Sequence, residues 1–316
     1  MMKGRVVVTG GAGFIGSHLA ERLLDSGYKV TVIDNLSNGS ASNLRRSAKN
    51  GNFRFYRASI NSPRLAGLIG GSESVVHLAA ITSVIRSKAK PLETDHTNVV
   101  GTLNLLEACR RAGVGKFVFA SSAAVYGNQE RLPINETAIA RPSSLYGASK
   151  LAGEAYCQAF FESFGLRSTI FRFFNVYGTR RAGGEYAGAL TKFASAISND
   201  VPPTIFGDGL QTRDFVSVKD IVSGIEASLE STPKGAEVIN LASGKQTTVQ
   251  RLVGMVATAM GRKSPHPTYK PGRDGEVRYS YADIARAKTV LKFEPKVSLE
   301  DGIKEYCDWF VEESNH

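Results

Sequence analysis

The chain has 316 residues, of which 42% are hydrophobic and 22% are charged, as is typical of a globular enzyme with a sizeable core. Its formal net charge of +10 suits an anionic ligand. The basic residues are scattered in short pairs such as Arg45-Arg46, with no basic run interleaved with aromatic residues, which argues against a nucleic-acid partner and favours a phosphorylated metabolite.

Cysteine usage and hydropathy point to a cytoplasmic protein. Cys109, Cys157 and Cys307 are odd in number and far apart, with neither a CxxC motif nor a His/Cys cluster, so we expect reduced thiols and no metal site. The amino terminus enters a predicted strand almost at once, and no apolar run reaches membrane-spanning length. We therefore expect no signal peptide and no membrane partner.

The first elements predict a dinucleotide site. A short β-branched run over residues 5–9 predicts a buried parallel strand, and a glycine-rich turn over residues 10–16 separates it from a helical pattern over residues 17–26. The turn reads GxxGxxG, which departs from the common GxGxxG but still lets the backbone approach a pyrophosphate. A second strand over residues 29–33 ends in Asp34, which is suited to a ribose 2′-hydroxyl and would repel a 2′-phosphate. NAD is favoured over NADP.

The alternation of strands and helices continues. Residues 53–57, 74–78 and 116–120 predict further strands, and residues 91–112 predict a long helix. This order predicts an α/β fold with a doubly wound parallel (Rossmann) sheet, which binds its ligands at the carboxyl ends of the strands. His77-Leu78-Ala79-Ala80, Ser121-Ser122-Ala123-Ala124-Val125-Tyr126-Gly127 and Tyr146-Gly147-Ala148-Ser149-Lys150 all fall at that edge.

Tyr146 and Lys150 form a candidate acid–base pair. Positions i and i+4 lie on one face of a helix, one turn apart. A phenol with an ordinary pKa near 10 is a poor base at neutral pH, and a nearby cation lowers that pKa. On spacing alone, a solvated surface pair is the commoner interpretation.

The rest of the chain predicts two domains. A sixth strand over residues 166–174 leads into Asn175-Val176-Tyr177-Gly178, after which the elements shorten. A strand and turn are expected at residues 203–209, a helix at 218–229, a strand at 238–241, and helices at 282–291 and 299–311. We therefore predict an NAD-binding domain over residues 1–175, to which 216–245 returns, and a smaller α/β domain over 176–215 and 246–316.

The ordered motifs Gly-Gly-Ala-Gly-Phe-Ile-Gly, Asp-Asn-Leu, His-Leu-Ala-Ala, Ser-Ser-Ala-Ala-Val-Tyr-Gly and Tyr-x-x-x-Lys give a specific resemblance. From Gly10 to around Trp309 the chain resembles the extended short-chain dehydrogenase/reductases, and within them the nucleotide-sugar 4-epimerases of the UDP-glucose 4-epimerase type. In that family Tyr146 would be the base, Ser122 would bind the sugar 4-oxygen, and Lys150 would hold the ribose and lower the pKa of the tyrosine.

The resemblance also implies ligand contacts. NAD would be bound by Gly10, Gly13, Phe14, Ile15, Gly16, Asp34, Asn35, Ser59, Ile60, Leu78, Ala79, Ala80, Asn98, Tyr146 and Lys150. The UDP-sugar would be bound by Ser122, Tyr146, Asn175, Leu190, Thr204, Phe206, Arg213, Val249, Arg273, Glu276 and Ser280. Among these, Asn175, Arg213 and Arg273 would contact the diphosphate, Phe206 the uracil and Glu276 the uridine ribose. Taken alone, Arg213 followed by Asp214 equally suits a surface ion pair.

Three positions depart from the family pattern. Ser59 stands where an Asp commonly contacts the adenine amine, Thr82 stands where some members carry a lysine, and Glu276 replaces the usual Asp. Beside Ser122, Ala123 and Ala124 replace the acidic residues that the related dehydratases and decarboxylases use. This favours oxidation and reduction at C4 alone, through a transient 4-keto sugar.

Several alternatives stay open at this point. A small Ser280 predicts that UDP-GlcNAc and UDP-GalNAc are accepted besides UDP-glucose and UDP-galactose. Action on UDP-glucuronate as an epimerase or decarboxylase, a nucleotide-sugar reductase and a non-catalytic NAD-binding regulator are the other interpretations. The resemblance further predicts a homodimer formed through helices 91–112 and 146–164.

Overall fold

The computed structural model describes residues 3–181, 188–263, 266–272 and 277–314. The strands within these ranges are β1 (Arg5–Thr9), β2 (Lys29–Asp34), β3 (Phe53–Arg57), β4 (Ser74–His77), β5 (Lys116–Ser122), β6 (Ser168–Phe173), β7 (Asn175–Tyr177), β8 (Thr204–Phe206), β9 (Thr212–Arg213), β10 (Phe215–Ser217), β11 (Ala236–Leu241), β12 (Thr247–Thr248), β13 (Thr268–Lys270) and β14 (Tyr279–Ser280). The helices are α1 (Phe14–Asp25), α2 (Leu65–Ile69), α3 (Val84–Ala89), α4 (Pro91–Asp95), α5 (Gly101–Arg111), α6 (Leu145–Phe164), α7 (Ala189–Ser198), α8 (Val218–Glu230), α9 (Val249–Ala259), α10 (Ala285–Leu291) and α11 (Leu299–Ser314).

Seven of the described strands form one parallel sheet in the order β11-β6-β5-β4-β1-β2-β3. The chain starts near the middle, runs to one edge through β2 and β3, and then returns past β1 to build the other side. Val7 pairs with Thr31 of β2 and with Val75 of β4, and it is fully buried because helices cover both faces. The predicted doubly wound Rossmann sheet is confirmed, and its switch point lies between β1 and β4.

Two apolar layers cover this sheet. On one face α1, α8 and α10 contribute Leu19, Leu23, Ile221, Ile225 and Leu291 to a single buried cluster. On the other face α2, α5 and α6 contribute residues such as Leu105, Cys109 and Phe160. These apolar positions recur at helical spacing, which is why each helix buries one side against the sheet.

A smaller apolar cluster lies beyond the carboxyl edge of the sheet. Helices α7, α9 and α11 pack together there around side chains such as Phe193, Leu252 and Tyr306. Three small sheets accompany them, formed by β7 with β10, by β12, β9 and β14, and by β8 with β13. This cluster faces the ends of the main strands across the cavities described below.

The structure differs from the predicted elements at three places. Helix α1 begins at Phe14, directly after the glycine turn. The long helix predicted at residues 91–112 is a continuous helical run in which His96–Val100 forms a π-helical segment between α4 and α5. Helix α10 was predicted in the smaller domain, but it packs on β11 and α8, because Ala287 and Leu291 bury their side chains in the cluster of the large sheet.

Reduced cysteines, the lack of a metal site and the lack of a membrane-spanning segment were expected for the whole chain. The structure tests them only in the residues that it describes. Cys109, Cys157 and Cys307 are all buried free thiols. Within the described ranges, no group of three or more His, Cys, Asp or Glu side chains is placed to hold a metal ion. No helix in those same ranges is both long and apolar enough to cross a membrane.

Candidate functional site

A cavity of about 800 Å³ lies at the carboxyl ends of β1, β2, β4 and β5. This volume is within the range of small-molecule sites. Its walls include most of the residues that the sequence predicts for the cofactor. These are Gly10, Gly13, Phe14, Ile15, Gly16, Asp34, Asn35, Ser59, Ile60, Leu78, Ala79, Ala80, Tyr146 and Lys150.

The glycine turn between β1 and α1 is closely packed. Gly10 has a φ of +69°, and a Cβ there would lie 2.6 Å from the backbone nitrogen of Ala79. A Cβ at Gly16 would lie 2.3 Å from the carbonyl oxygen of Gly10. Only glycine fits this left-handed, crowded backbone. Since the first turn of α1 contains no acidic residue, its free N–H groups and positive dipole end suit a pyrophosphate.

Asp34 ends β2 at the wall of the same cavity. Its carboxylate accepts hydrogen bonds from the backbone nitrogens of Ala12 at 3.0 Å and Leu36 at 2.7 Å. Burial raises the pKa of this carboxyl group, and the two hydrogen bonds oppose that rise. Each carboxylate oxygen can accept a further bond, so the group is positioned for a ribose hydroxyl.

Ser59, which stands where the family commonly has an Asp, also lies at this cavity. Ser59 lines the wall, and its hydroxyl accepts a hydrogen bond from the backbone nitrogen of Asn61 at 3.1 Å. Thr82 also lines the cavity. Beyond the predicted residues, a polar loop after β2 contributes Ser37, Asn38, Gly39, Ser40 and Asn43. The run of small polar residues directly after Asp34 in the sequence could have identified this loop as part of the site.

Asn98 was predicted to contact the cofactor, but it does not line this cavity. Its side chain is buried in the π-helical segment, where it bonds the backbone N–H and C=O of Ile81 at 2.8 and 2.9 Å. It also donates to the hydroxyl of Ser149 at 3.0 Å. Asn98 therefore connects the loop after β4 to the helix that carries Tyr146, and its amide is occupied by these bonds.

Tyr146 lies in the first turn of α6. The hydroxyl of Ser144 caps the helix by accepting from the backbone nitrogen of Gly147 at 3.0 Å, which fixes where α6 begins. The phenol interacts with the hydroxyl of Ser122 at the end of β5. Burial raises the pKa of Tyr146, while the bond to Ser122 and the positive charge of Arg181 lower it.

Lys150 lies one turn after Tyr146 on α6, and its side chain is buried. The positive charge of Arg181 also acts on Tyr146 and lowers the pKa of its phenol. Lys150 is 3% exposed, with its Nζ 5.0 Å from the centre of the Phe119 ring. Burial lowers its own pKa to about 8. Lys150 thus contacts an aromatic ring of the core through its ammonium group and also lines the cavity. Sequence spacing alone does not reveal this arrangement.

A second cavity of about 130 Å³ adjoins the first on the side of the smaller cluster. The two share Asn175, Val176 and Arg181, so a ligand could extend from one into the other. Leu190, Arg213 and Val249, all predicted for the substrate, line this second cavity. Ser122 and Tyr146 line the first.

Other predicted substrate residues lie apart from these walls. Thr204 and Phe206 are on β8, and Ser280 is on β14, where it pairs in register with Arg213 of β9. None of these three lines either cavity. Arg273 and Glu276 lie outside the described residues.

The surface ion pair considered for Arg213 and Asp214 is wrong. Asp214 is fully buried, and its carboxylate accepts bonds from the backbone nitrogens of Ser243, Gly244 and Ala282 at 2.8 to 3.1 Å. It therefore ties β9 and β10 to the loop after β11. Arg213 lines the second cavity, and its Nη1 donates to the carbonyl of Thr212 at 2.8 Å.

The sequence interpretation did not identify Arg180, Arg181, Lys192 and Trp309 as cavity residues. Arg181 donates to the carbonyl of Val176, and its guanidinium carbon lies 5.6 Å from the centre of the Phe14 ring. Trp309 also packs on Tyr306, as expected for a core aromatic. The two arginines follow Asn175-Val176-Tyr177-Gly178 after a single residue, Thr179, and that proximity was the signal that could have found them.

Comparisons with known proteins agree with this geometry. The model of the NAD dependent epimerase/dehydratase family matches residues 6–242. The chain is 38% identical over 307 residues to a putative UDP-glucose 4-epimerase of Methanocaldococcus jannaschii, covering 96% of this chain and 97% of that protein.

Solved structures are similar over almost the whole chain. UDP-N-acetylglucosamine 4-epimerase from Methanobrevibacter ruminantium, in complex with UDP-N-acetylmuramic acid, has a TM-score of 0.94 and 37% identity, covering 99% of this chain and 100% of that one. UDP-glucuronic acid 4-epimerase from Bacillus cereus, with UDP-glucuronic acid and NAD, has a TM-score of 0.92 and 34% identity, with coverages of 98% and 99%.

Proposed function

The chain belongs to the NAD dependent epimerase/dehydratase family and is an NAD-dependent UDP-sugar 4-epimerase, and from this premise we propose that it interconverts UDP-glucose with UDP-galactose and UDP-GlcNAc with UDP-GalNAc. The observation that carries the proposal is the contact between Tyr146 and Ser122 at the wall of the large cavity. This contact supports the proposal because it brings a phenol and a hydroxyl together, and the charge of Arg181, which lines both cavities, acts on that phenol.

The large cavity fits NAD. The crowded glycine turn, the uncharged first turn of α1 and Asp34 supply a pyrophosphate site and a ribose acceptor. We assign the cofactor contacts to the predicted residues that line this cavity. Asn98 supports them indirectly, through its hydrogen bond to Ser149 of α6. Bound NAD would supply the hydride acceptor and donor for oxidation and reduction at C4 of the sugar.

Two side chains handle the proton of the sugar 4-hydroxyl. As the phenolate, Tyr146 would accept that proton while C4 is oxidised, and the resulting phenol would give it back on reduction, so each cycle is neutral in protons. The hydroxyl of Ser122 holds the same oxygen and keeps the phenol directed at it. Lys150, buried beside them, holds the cofactor ribose through its ammonium group.

The second cavity fits the diphosphate. Asn175 and Arg213 line it, and a guanidinium binds phosphate oxygens through two parallel donors. Leu190 and Val249 give it apolar walls. From the family resemblance we assign Arg273 to the diphosphate as well, and Thr204, Phe206 and Glu276 to the uridine. We assign cofactor binding to residues 1–175 with 216–245, and nucleotide-sugar binding to 176–215 and 246–316 apart from α10, which packs on the large sheet. A diphosphate held this way leaves the hexose free to turn over between the two half-reactions.

The range of sugars is proposed from Ser280. Ser280 is paired in register with Arg213, which lines the second cavity, so we propose that a bulky residue at position 280 would reduce the space for the sugar. Ser280→Tyr is therefore expected to lower kcat/KM for UDP-GlcNAc by at least about 10-fold and to leave that for UDP-glucose within about 3-fold. Equal loss for both sugars, or no loss for UDP-GlcNAc, would contradict the assignment.

An assay on each UDP-sugar without added NAD tests the reaction. We expect C4 inversion of UDP-glucose and UDP-GlcNAc with no net NADH, and no turnover in Tyr146→Phe, which removes only the hydroxyl. Inversion of UDP-glucuronate alone would replace the proposed substrates. Release of CO2 would indicate a decarboxylase, accumulating NAD+ or NADH a reductase, and no turnover of any sugar a non-catalytic NAD-binding protein.

We also propose that two copies associate through the helical run from α4 to α5 and through α6. Leu92 is 84% exposed on α4 and Leu145 is 49% exposed at the start of α6. Helices α4 and α6 contact each other, so the two side chains belong to one side of the molecule. An apolar surface of this kind is suited to a second copy of the same chain.

A further inference from the structure

We propose that Glu154 and Arg172 are positioning residues for the reaction: as a buried ion pair they hold the face of α6 that carries Tyr146 and Lys150 against the end of β5 that carries Ser122. The inference rests on the roles proposed above for those three residues. Glu154 follows Tyr146 and Lys150 at the same i, i+4 spacing, so all three share one face of α6.

The pair has the geometry of a specific, buried contact. Arg172, on β6, donates its Nε and Nη2 to the two carboxylate oxygens of Glu154 at 2.9 and 2.6 Å. Arg172 is 6% exposed and Glu154 is 5% exposed. Ser121 donates its hydroxyl to the same carboxylate. Since Ser121 directly precedes Ser122, one carboxylate connects the catalytic helix to the strand end that presents the sugar-binding hydroxyl.

The contacts extend to the far edge of the sheet. The guanidinium carbon of Arg172 lies 4.6 Å from the centre of the Tyr126 ring, and its Nη1 donates to the carbonyl of Glu136 at 3.3 Å. Tyr126 in turn donates to the side chain of Asn240 on β11 at 2.6 Å. The contacts of the pair thus involve β5, β6, β11 and α6. Glu154 and Arg172 line neither cavity, whereas Ser121, which bonds to Glu154, lines the large one.

The charge of Glu154 has a second effect, which is on the pKa of Lys150. Burial lowers the pKa of Lys150 to about 8, and Cys157 and Glu154 raise it. Burial also raises the pKa of the Cys157 thiol far above neutrality, so the thiol carries no charge there. Glu154 is therefore the anion that helps Lys150 to keep its proton.

Among the residues that the structure describes, the other groups near Lys150 do not supply a permanent anion. From β4, His77 faces Lys150, but burial lowers its pKa to about 3 and it stays neutral. From β5, the apolar ring of Phe119 lies against the ammonium group. On α6 itself, burial raises the pKa of the Tyr146 phenol, so it is not a permanent anion like a carboxylate. From β6, Arg172 reaches Glu154 and so offsets its charge.

This arrangement predicts opposite effects for the two halves of the pair. Glu154→Gln removes the anion and leaves Arg172 charged, so the pKa of Lys150 falls. Arg172→Met leaves the anion unpaired, so the pKa of Lys150 rises. A pair that merely anchored the helix would disturb Lys150 in the same way in both variants.

The full chain can be titrated by NMR with lysine labelled with ¹³C at Cε, using Lys150→Met to assign the signal. We expect a midpoint near 8 in the parent protein, a lower one in Glu154→Gln and a higher one in Arg172→Met. Calorimetric NAD affinity at pH 9 should follow the same order. Midpoints that move together, or not at all, would overturn the inference.

The double variant Glu154→Leu/Arg172→Met covers the case in which a single variant unfolds, since it buries no unpaired charge. We expect it to fold and bind UDP, with kcat lowered roughly 10- to 100-fold and KM nearly unchanged, because α6 and β5 lose their connection. Parental kcat in this folded variant would refute positioning. Parental protein that epimerises no UDP-sugar would refute the proposed function, while the NMR titration would still decide the pair.

Discussion

Two opposing effects act on the phenol of Tyr146. Burial raises its pKa, and the hydrogen bond to Ser122 together with the charge of Arg181 lowers it. A base works best when its pKa is near the pH of the reaction. Arg181 therefore brings the phenol toward the range in which it can accept the proton of the sugar hydroxyl.

Replacing Arg181 should move the pH dependence of the reaction. In Arg181→Gln the charge is lost, the pKa of Tyr146 rises, and the increase of kcat/KM with pH should shift to higher pH, with lower activity at neutral pH. Arg181→Lys, which keeps a cation, is the matched control and should shift less. Initial rates with UDP-glucose across pH 6 to 10 would measure this. An unchanged profile in Arg181→Gln would contradict the assignment.

At the level of elements, the glycine turn and α1 carry the cofactor site. Gly16→Ala would place a Cβ 2.3 Å from the carbonyl oxygen of Gly10, so the turn must open. We expect NAD affinity to fall by at least about 10-fold, the effect of losing roughly one charge-assisted hydrogen bond. Gly67→Ala in α2, where a Cβ would meet no atom within 4 Å, is the control and should leave NAD binding unchanged. Calorimetry compares the two variants.

Much of this architecture could be predicted from the sequence because its signals are local. The run Val6–Val8, the glycine turn and Asp34 lie within one short segment, so strand, turn and acid come in a fixed order. Arg181 and α10 depend on distant parts of the chain. The effect of Arg181 on Tyr146 arises only once β6 and β7 bring them together, and α10 follows the apolar surface offered by α8 and β11.

At the scale of the whole molecule, the proposed homodimer can be tested on its apolar surface. Leu92→Asp places a charge on an exposed side chain of α4 and should convert the dimer to monomer, because an unpaired charge in an interface costs about 2 kcal/mol or more. Ile139→Asp, 66% exposed and outside both helices, is the control. Light scattering after size-exclusion chromatography measures the mass. A parent protein that is already a monomer would refute the interface.

The strand order of the large sheet also has a consequence for biosynthesis. After β3 is made, β4, β5 and β6 add one after another to the same growing side, so each new strand finds its neighbour already in place. Strand β11 completes that side only after the ribosome has added the residues from 174 to 235. Throughout that interval the outer hydrogen-bonding edge of β6 stays unpaired. A nascent chain that stalls there would expose a strand that can pair with other nascent chains on the same polysome, which favours aggregation.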